Sequence, residues 1–280
     1  MKNVLIIGEN SYIGSSFAKY VDSHKPFTVN TVSAIDEAWR AYDFSTVDTI
    51  LHCAGIAHMA QKKHMRKLYY DINCDLAVSV ATHAKKAGVK QFAFLSTMAV
   101  YGKIHDKITL ETPLNAKDFY GGSKRAAEEA LLKLSSEDFK ICIIRPPMVY
   151  GYGCKGNFPK LVKLGRSLPI FPNIKNERSM IYIDNLCEFL CQAIDKNKKG
   201  IHLPQNTEYV NTTKLVKTIA KLQGKKIRTT KIFNPLIGLL KHWIPQFDKL
   251  FSNLCYIKSG NEADYNVVGF EDSIKSSVQD

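Results

Sequence analysis

Short apolar runs separated by helical patterns set the rhythm of the first 150 residues. Val4–Ile7, Phe27–Val32, Thr49–His52, Gln91–Leu95 and Lys140–Ile144 are brief and rich in apolar, β-branched or aromatic side chains, and they predict five strands. Between them, apolar positions recur at helical spacing over Ile13–Val21, His64–Lys86 and Tyr120–Leu134. Gly88, after Lys85-Lys86, supplies a helix stop. Strands that alternate with helices in this way build a doubly wound parallel α/β sheet with helices on both faces.

Beyond Tyr150-Gly151-Tyr152-Gly153 the rhythm breaks: Pro159, Pro169, Pro172 and Pro204 punctuate the chain and helices dominate. The reading is a first domain over 1–150 and a smaller, mainly helical lobe over 151–280. The helical stretch Ile183–Ile194, opening at Asp184, is expected to return to the first domain with the residues up to about 203, so that the two interleave. Ile232–Leu254 is strongly apolar but broken by Pro235, Gly238 and Pro245. It predicts a helix packed on the small lobe rather than a membrane span, with a membrane or partner surface as the second reading.

Composition adds exclusions. A 45% hydrophobic and 23% charged chain of 280 residues is that of a globular protein. Only four apolar residues, Val4–Ile7, precede Gly8, too few for a signal peptide or a span, so a cytoplasmic protein is expected, with no membrane span but room for peripheral association. The seven cysteines (53, 74, 142, 154, 187, 191, 255) form no CxxC pair and read as reduced thiols used as small hydrophobes. Cys187 and Cys191 lie one helical turn apart without partner ligands at zinc spacing, so no metal is expected. The net charge of +13 is spread over small groups such as Lys62-Lys63, Lys196–Lys199 and Lys225-Lys226. An anionic substrate and cofactor, an anionic surface and simple solubility all suit it. No arginine-rich helix or aromatic platform accompanies it, so nucleic acid is not an expected partner.

The chemistry enters with three separated motifs. Gly8-x-x-Ser11-x-x-Gly14 follows the first strand, where glycines let a backbone approach a pyrophosphate at a helix N-terminus. Serine stands at the middle position and adds a side chain there. Ser96-Thr97-Met98-Ala99-Val100-Tyr101-Gly102 follows the fourth strand, and Tyr120-Gly121-Gly122-Ser123-Lys124 opens a helix. Tyr120 and Lys124, at i and i+4, share one helix face. A nearby ammonium is expected to lower the tyrosine pKa from about 10. The Thr97 hydroxyl would hold a carbonyl or alcohol oxygen beside that phenol. This is equipment for proton transfer accompanying hydride transfer. His52, His58 and His64 read as core or surface histidines, and no nucleophile–histidine–acid arrangement stands out.

Together these residues resemble the extended short-chain dehydrogenase/reductases, the superfamily of nucleotide-sugar epimerases, dehydratases and reductases. The resemblance covers nearly the whole chain and implies a Rossmann-type doubly wound sheet with a smaller substrate lobe. Gly8, Ser11, Tyr12, Ile13 and Gly14 fall on its dinucleotide loop. Asp43-Phe44 resembles its adenine-contacting acidic–hydrophobic pair, and Cys53-Ala54-Gly55 its small-residue strand end. Asn73 matches its helix asparagine. Thr97, Tyr120 and Lys124 fall on its catalytic Ser/Thr, Tyr and Lys. Ser96 and Pro147, the latter in Arg145-Pro146-Pro147-Met148-Val149-Tyr150-Gly151, would lie along the cofactor, while Met98, Asn157 and Arg178 would meet the substrate, Arg178 at its diphosphate. The second strand ends in Asn30-Thr31-Val32-Ser33, with no acid for a ribose 2′-hydroxyl. Ser33 would suit a phosphate, so NADP(H) is preferred over NAD(H).

Within the superfamily, Ser96–Gly102, Arg145–Met148, Gly156-Asn157-Phe158 and Leu168-Pro169-Ile170 with Pro172-Asn173-Ile174 look closest to bacterial reductases of UDP-4-keto-6-deoxy-N-acetylhexosamines, which serve capsule and O-antigen synthesis. The implied substrate is a UDP-linked deoxy amino sugar, and the resemblance implies a homodimer through the helices near 64–86 and 120–134. A 4,6-dehydratase would carry Asp-Glu after the catalytic threonine, where this chain has Met98-Ala99. A 4-epimerase uses the same Thr, Tyr and Lys and stays open. So does a non-catalytic dinucleotide sensor or scaffold, for which Ser11 is the motive.

Overall fold

The predicted apolar runs become strands, most of them covered on both faces. The computed structural model describes residues 1–280 except 35–36, 58, 60–61, 104–106, 244 and 279–280; His58 therefore lies outside the described residues. In chain order the strands are β1 (Lys2–Ile7), β2 (Phe27–Val32), β3 (Thr49–His52), β4 (Gln91–Leu95), β5 (Lys107–Ile108), β6 (Lys140–Ile144), β7 (Met148–Tyr150), β8 (Ile170–Pro172), β9 (Met180–Tyr182), β10 (Gly200–His202), β11 (Arg228–Thr230) and β12 (Cys255–Tyr256). The helices are α1 (Tyr12–His24), α2 (Arg66–Tyr70), α3 (Leu76–Lys86), α4 (Phe119–Leu132), α5 (Phe158–Ser167), α6 (Ile183–Asp195), α7 (Thr212–Leu222), α8 (Asn234–Trp243), α9 (Pro245–Phe251) and α10 (Phe270–Val278).

The chain divides into two compact units. The first comprises Met1–Lys103, Leu110–Pro147 and Ile183–Pro204, and the second Ile104–Thr109, Met148–Tyr182 and Gln205–Asp280. The first unit is built on an all-parallel sheet in the order β10-β6-β4-β3-β1-β2. Leu5, Ile7, Ile50, Phe92, Phe94, Ile141 and Ile143 join Ala77, Val80, Ala81 and Ala84 of α3 and Ala127 and Leu131 of α4 in one core. The alternate residues Val4, Ile6, Leu51 and Ala93 are equally buried, and α1 packs on α6. A strand apolar at every position, not every second one, is what a sheet covered on both faces requires.

Two features of this unit depart from the sequence pattern. The stretch read as one helix from His64 to Lys86 is a 3₁₀ turn (Lys63–Met65), α2, a π-helical turn (Asp71–Asp75) and then α3. A sixth strand, β10, extends the sheet beside β6. Its three half-buried residues follow a lysine-rich turn and carry no apolar run that sequence could flag.

The second unit has no comparable sheet among the described residues. Its strands pair two by two, β7 with β9, β8 with β11 and β5 with β12, and α7 packs against both α5 and α10.

Candidate active site

Between β1 and β3 the strand order reverses: β2 lies on one side of β1 and β3 on the other. In a doubly wound sheet the crevice past the carboxyl ends at this point is the natural ligand site. There the Ile7 carbonyl accepts from both Cys53 N–H and Ala54 N–H, each at 2.9 Å, and Gly8 N–H donates to Val32 O at 3.0 Å. Gly8 has φ +109°, and a Cβ on it would sit 2.8 Å from the Ala54 nitrogen. No side chain fits, so the loop after β1 lies directly on Cys53-Ala54-Gly55.

Ser11 has a local reason to replace glycine. It is the N-cap of α1, and its Oγ accepts from Gly14 N–H at 3.0 Å. Such a cap contributes about 1 kcal/mol over alanine. A Cβ on Gly14 would come 2.5 Å from that Oγ, so serine and glycine are matched. Tyr12 and Ile13 open the first turn, which contains no acidic residue to oppose the positive end of the helix dipole. Burial pushes the Cys53 thiol up to about 12, so it stays protonated beside Ser11.

Asn73 ties this loop to α4. It sits in the π-helical turn with its side chain fully enclosed. Its Oδ1 accepts from Ile56 N–H at 2.8 Å, and its Nδ2 donates to Ile56 O at 3.1 Å and to Ser123 Oγ at 3.0 Å. Ser123 in turn donates to Tyr120 O at 3.0 Å. A π turn widens a helix and re-aims one side chain, a common device at functional positions.

The three residues with proton-transfer chemistry converge from two elements. Thr97 lies two residues past β4 in extended conformation, and its Oγ1 caps the following turn by accepting from Ala99 N–H at 3.1 Å. Tyr120 shares a hydrogen bond with that same Thr97 side chain. Asp118 caps α4 through Gly121 N–H at 2.8 Å and so fixes where Tyr120 enters. A Cβ on Gly121 would meet the Ala99 carbonyl at 2.6 Å, so only glycine lets α4 approach the Thr97 loop this closely. One turn on, the Lys124 ammonium donates to Leu95 O at 2.8 Å and lies 4.5 Å from the Phe94 ring centre. A Cβ on Gly55 would stand 3.2 Å from that ammonium, which places Lys124 beneath the end of β3.

Electrostatics correct one expectation. Tyr120 has its pKa raised, chiefly by burial of the phenol and partly offset by the Thr97 bond. Lys124 does not pull it down. Burial lowers Lys124 itself to about 8, and its hydrogen bond is committed to Leu95. His52 is enclosed between Phe92 and Phe94, at 5.7 and 5.8 Å between ring centres. Burial, aided by the Lys124 charge, lowers its pKa to about 3, so it is a neutral core residue.

The chain matches the description of one family over residues 4–206, "NAD dependent epimerase/dehydratase family". The chain belongs to that family. It is 28% identical over 271 residues to the UDP-glucose 4-epimerase of Vibrio cholerae, covering 85% of this chain and 83% of that one. It is 25% identical over 263 residues to the N-acetyl-alpha-D-glucosaminyl-diphospho-ditrans,octacis-undecaprenol 4-epimerase of Escherichia coli O157:H7, covering 85% and 77%. In fold it is similar to a UDP-glucuronic acid 4-epimerase from Bacillus cereus solved in complex with NAD (TM-score 0.76, 16% identity, 99% and 97% covered). RMD from Pseudomonas aeruginosa, complexed with NADPH, gives TM-score 0.74 at 14% identity over 99% and 98%.

Not every position that this epimerase/dehydratase-family chain shares with the motif has its side chain turned to the crevice. Phe44 is 2% exposed and packed edge-on against His83 at 4.8 Å, so its ring has no face for adenine. Asp43 caps the next turn through Ser45 N–H at 2.9 Å. The Ser96 hydroxyl donates to Glu128. Met98 is buried, and its N–H donates to Pro146 O at 3.0 Å, next to the buried Pro147. Ser33 lies half-buried just past β2. Asn157 and Arg178 belong to the second unit. Asn157 is exposed at the start of α5 and makes no capping bond. Arg178 donates through Nη1 to Ser252 O at 2.8 Å, while its buried Nε finds no partner among the described residues.

The sequence reading missed the support under the cluster. Glu128 and Arg145 form a fully buried two-pronged pair, with Nη2 to Oε2 at 2.6 Å and Nε to Oε1 at 3.0 Å. Arg145 Nη1 donates to the Tyr101 hydroxyl at 2.7 Å. Glu128 lies one turn beyond Lys124, beside the buried Ala127 and one turn before the buried Leu131, and a carboxylate at that position was the available signal.

Proposed function

We propose that this protein is an NAD(P)H-dependent nucleotide-sugar 4-reductase. It would reduce the C4 ketone of a UDP-linked 4-keto-6-deoxy-N-acetylhexosamine to give UDP-N-acetylfucosamine or UDP-N-acetylquinovosamine. The observation that supports the reading is the placement of the Tyr120 phenol beside Thr97, with Lys124 one turn on. Ketone reduction needs a proton donor at that point.

The first unit fits a nicotinamide dinucleotide. The side-chain-free approach at Gly8, the Ser11-capped start of α1 and the small residues Cys53-Ala54-Gly55 would hold its diphosphate and ribose, with Asn73 bracing the loop. When bound, its dihydronicotinamide supplies hydride. Tyr120 donates the proton to the oxygen on C4, and Thr97 orients that oxygen and stabilises its charge. Lys124 steadies the ribose side of the site and donates toward the oxygens there. Ser33 favours the 2′-phosphate of NADP(H). Arg178 would hold the substrate diphosphate, and Asn157 its nucleotide. Met98-Ala99 offers no carboxylate for a dehydratase. The homodimer through α3 and α4 belongs to the same proposal.

The 4-epimerase names of the two curated relatives favour a second reading. One experiment separates them: incubation with UDP-4-keto-6-deoxy-N-acetylglucosamine and each reduced cofactor. Stoichiometric loss of dihydronicotinamide absorbance with a 4-hydroxy product supports the reductase. No cofactor consumption, together with interconversion of UDP-N-acetylglucosamine and its galacto form, replaces it with the epimerase.

A further inference from the structure

The second unit carries an apolar helix face turned away from its core. In α8, Ile237 is buried at 5% exposure, yet Leu236, Leu239 and Trp243 are 54%, 60% and 80% exposed. These three recur at i, i+3 and i+7, which sets them in one stripe within about 60° of arc. Ile232 (82%) and Phe233 (45%), just before the helix, add to the exposed apolar surface. Monomeric proteins seldom leave large apolar side chains grouped in this way without a use.

The charge next to this stripe is one-sided. From Tyr209 to Phe247 the sequence has eight Lys or Arg and no Asp or Glu. Lys217, Lys221, Lys225, Lys226, Arg228 and Lys231 are all exposed, and the first five line a cleft of about 830 Å³. The helix adjoins that cleft. Asn234, its first residue, donates to Asn173 O at 2.9 Å, Asn173 N–H donates to Thr230 O at 2.8 Å, and Asn173 itself lines the cleft.

We propose that α8 and the neighbouring lysines form a docking surface for an anionic phospholipid bilayer. The ten residues of α8 rise about 15 Å, half the thickness of a hydrocarbon core, so the helix lies on a membrane and does not cross one. Its aliphatic stripe enters the headgroup–acyl boundary, the indole of Trp243 sits at the interface, and the lysines meet lipid phosphates. A cluster without carboxylates suits that surface better than a protein partner, which would have to present matching acids. The inference is independent of the reductase reading and holds for either chemistry.

Vesicle co-sedimentation of the full chain tests it, with phosphatidylcholine vesicles containing or lacking phosphatidylglycerol. Tryptophan emission is a second readout, because the chain has two tryptophans and Trp39 is fully enclosed while Trp243 is exposed. Binding is expected only with phosphatidylglycerol, weakening as salt is added, with a blue shift from Trp243. Removing Leu236, Leu239 and Trp243 together as serines should abolish binding while leaving the unfolding midpoint in place. Lys221→Ser with Lys225→Ser and Lys226→Ser should lower partitioning at least tenfold, each lysine counting for about fivefold. Three results overturn the proposal: no co-sedimentation, equal binding to uncharged vesicles, or a vesicle-free blue shift that grows with protein concentration and vanishes when Leu236→Ser and Leu239→Ser are combined with Trp243 kept. The last would assign the stripe to a second copy of the chain.

Discussion

Successive turns of α4 treat polar side chains in opposite ways. The turn with Glu128 is closed: both carboxylate oxygens are engaged by Arg145, Ser96 joins them, and Tyr101 completes the guanidinium. The turns with Tyr120 and Lys124 hold their groups with one bond each, Thr97 for the phenol and Leu95 O for the ammonium, and burial shifts the pKa of both. The satisfied turn is a floor that fixes the helix. The sparsely bonded turns are where proton affinity departs from its ordinary value. Pairing every buried charge gives rigidity, and leaving some lightly held gives reactivity.

This contrast can be broken from either side. The largest effect is expected from Tyr120→Phe, which should lower keto-sugar turnover by about 10² to 10⁴ while cofactor binding and stability stay in place. An unimpaired rate in steady-state assays would remove the proton-donor role. Next comes the floor: Glu128→Ala takes the carboxylate away from the buried Arg145 charge, for an expected loss of about 3–5 kcal/mol in urea unfolding. A loss under 1 kcal/mol would mean that the pair is not a support.

Lys124 should behave in the reverse sense. Its pKa falls from 10.5 in the unfolded chain to about 8 in the folded one. Between those values the unfolded chain binds the proton more tightly, so stability rises as pH climbs from about 8 to 10.5, and the penalty of about 3 kcal/mol is fully present below pH 8. Lys124→Met should therefore stabilise the protein at pH 7 by about 1–2 kcal/mol, less than the full penalty because the bond to Leu95 is lost, and should flatten the alkaline rise. Destabilisation at pH 7 would reverse the assignment of strain to this turn. The smallest effect belongs to Ser11→Ala, about 1 kcal/mol in thermal or urea unfolding, with Ser11→Gly costing only a few tenths. Equal effects of the two would show that Ser11 does not serve as a cap.

The parts legible in the sequence were those set by local pattern. β3, β4 and β6 begin and end where their apolar runs do, because a strand covered on both faces must be largely apolar, and β2, at the sheet edge, keeps its predicted bounds with Thr28, Asn30 and Thr31 exposed. Thr97, Tyr120 and Lys124 were legible as motifs, and their elements bring Thr97 to Tyr120. What pattern could not show was long-range. The Glu128–Arg145 pair joins residues seventeen apart in sequence, and the grip of Asn73 on Ile56 and Ser123 depends on where three elements meet. The direction of the Tyr120 shift is hidden in the sequence for the same reason. Helical spacing puts Lys124 on the right face, but enclosure of the phenol, not the neighbouring cation, decides its proton affinity. In the second unit, strands of two or three residues leave almost no periodic trace.

The widened turn at Asp71–Asp75 has a genetic corollary. Excising one codon there would let the backbone close into an ordinary α-helix with its flanks held in phase, yet would undo the widening that aims Asn73 at Ile56 and Ser123. Length at this point is therefore as constrained as identity: substitutions around Asn73 can be absorbed one by one, whereas a single-residue deletion would release the loop beyond β3 in one step.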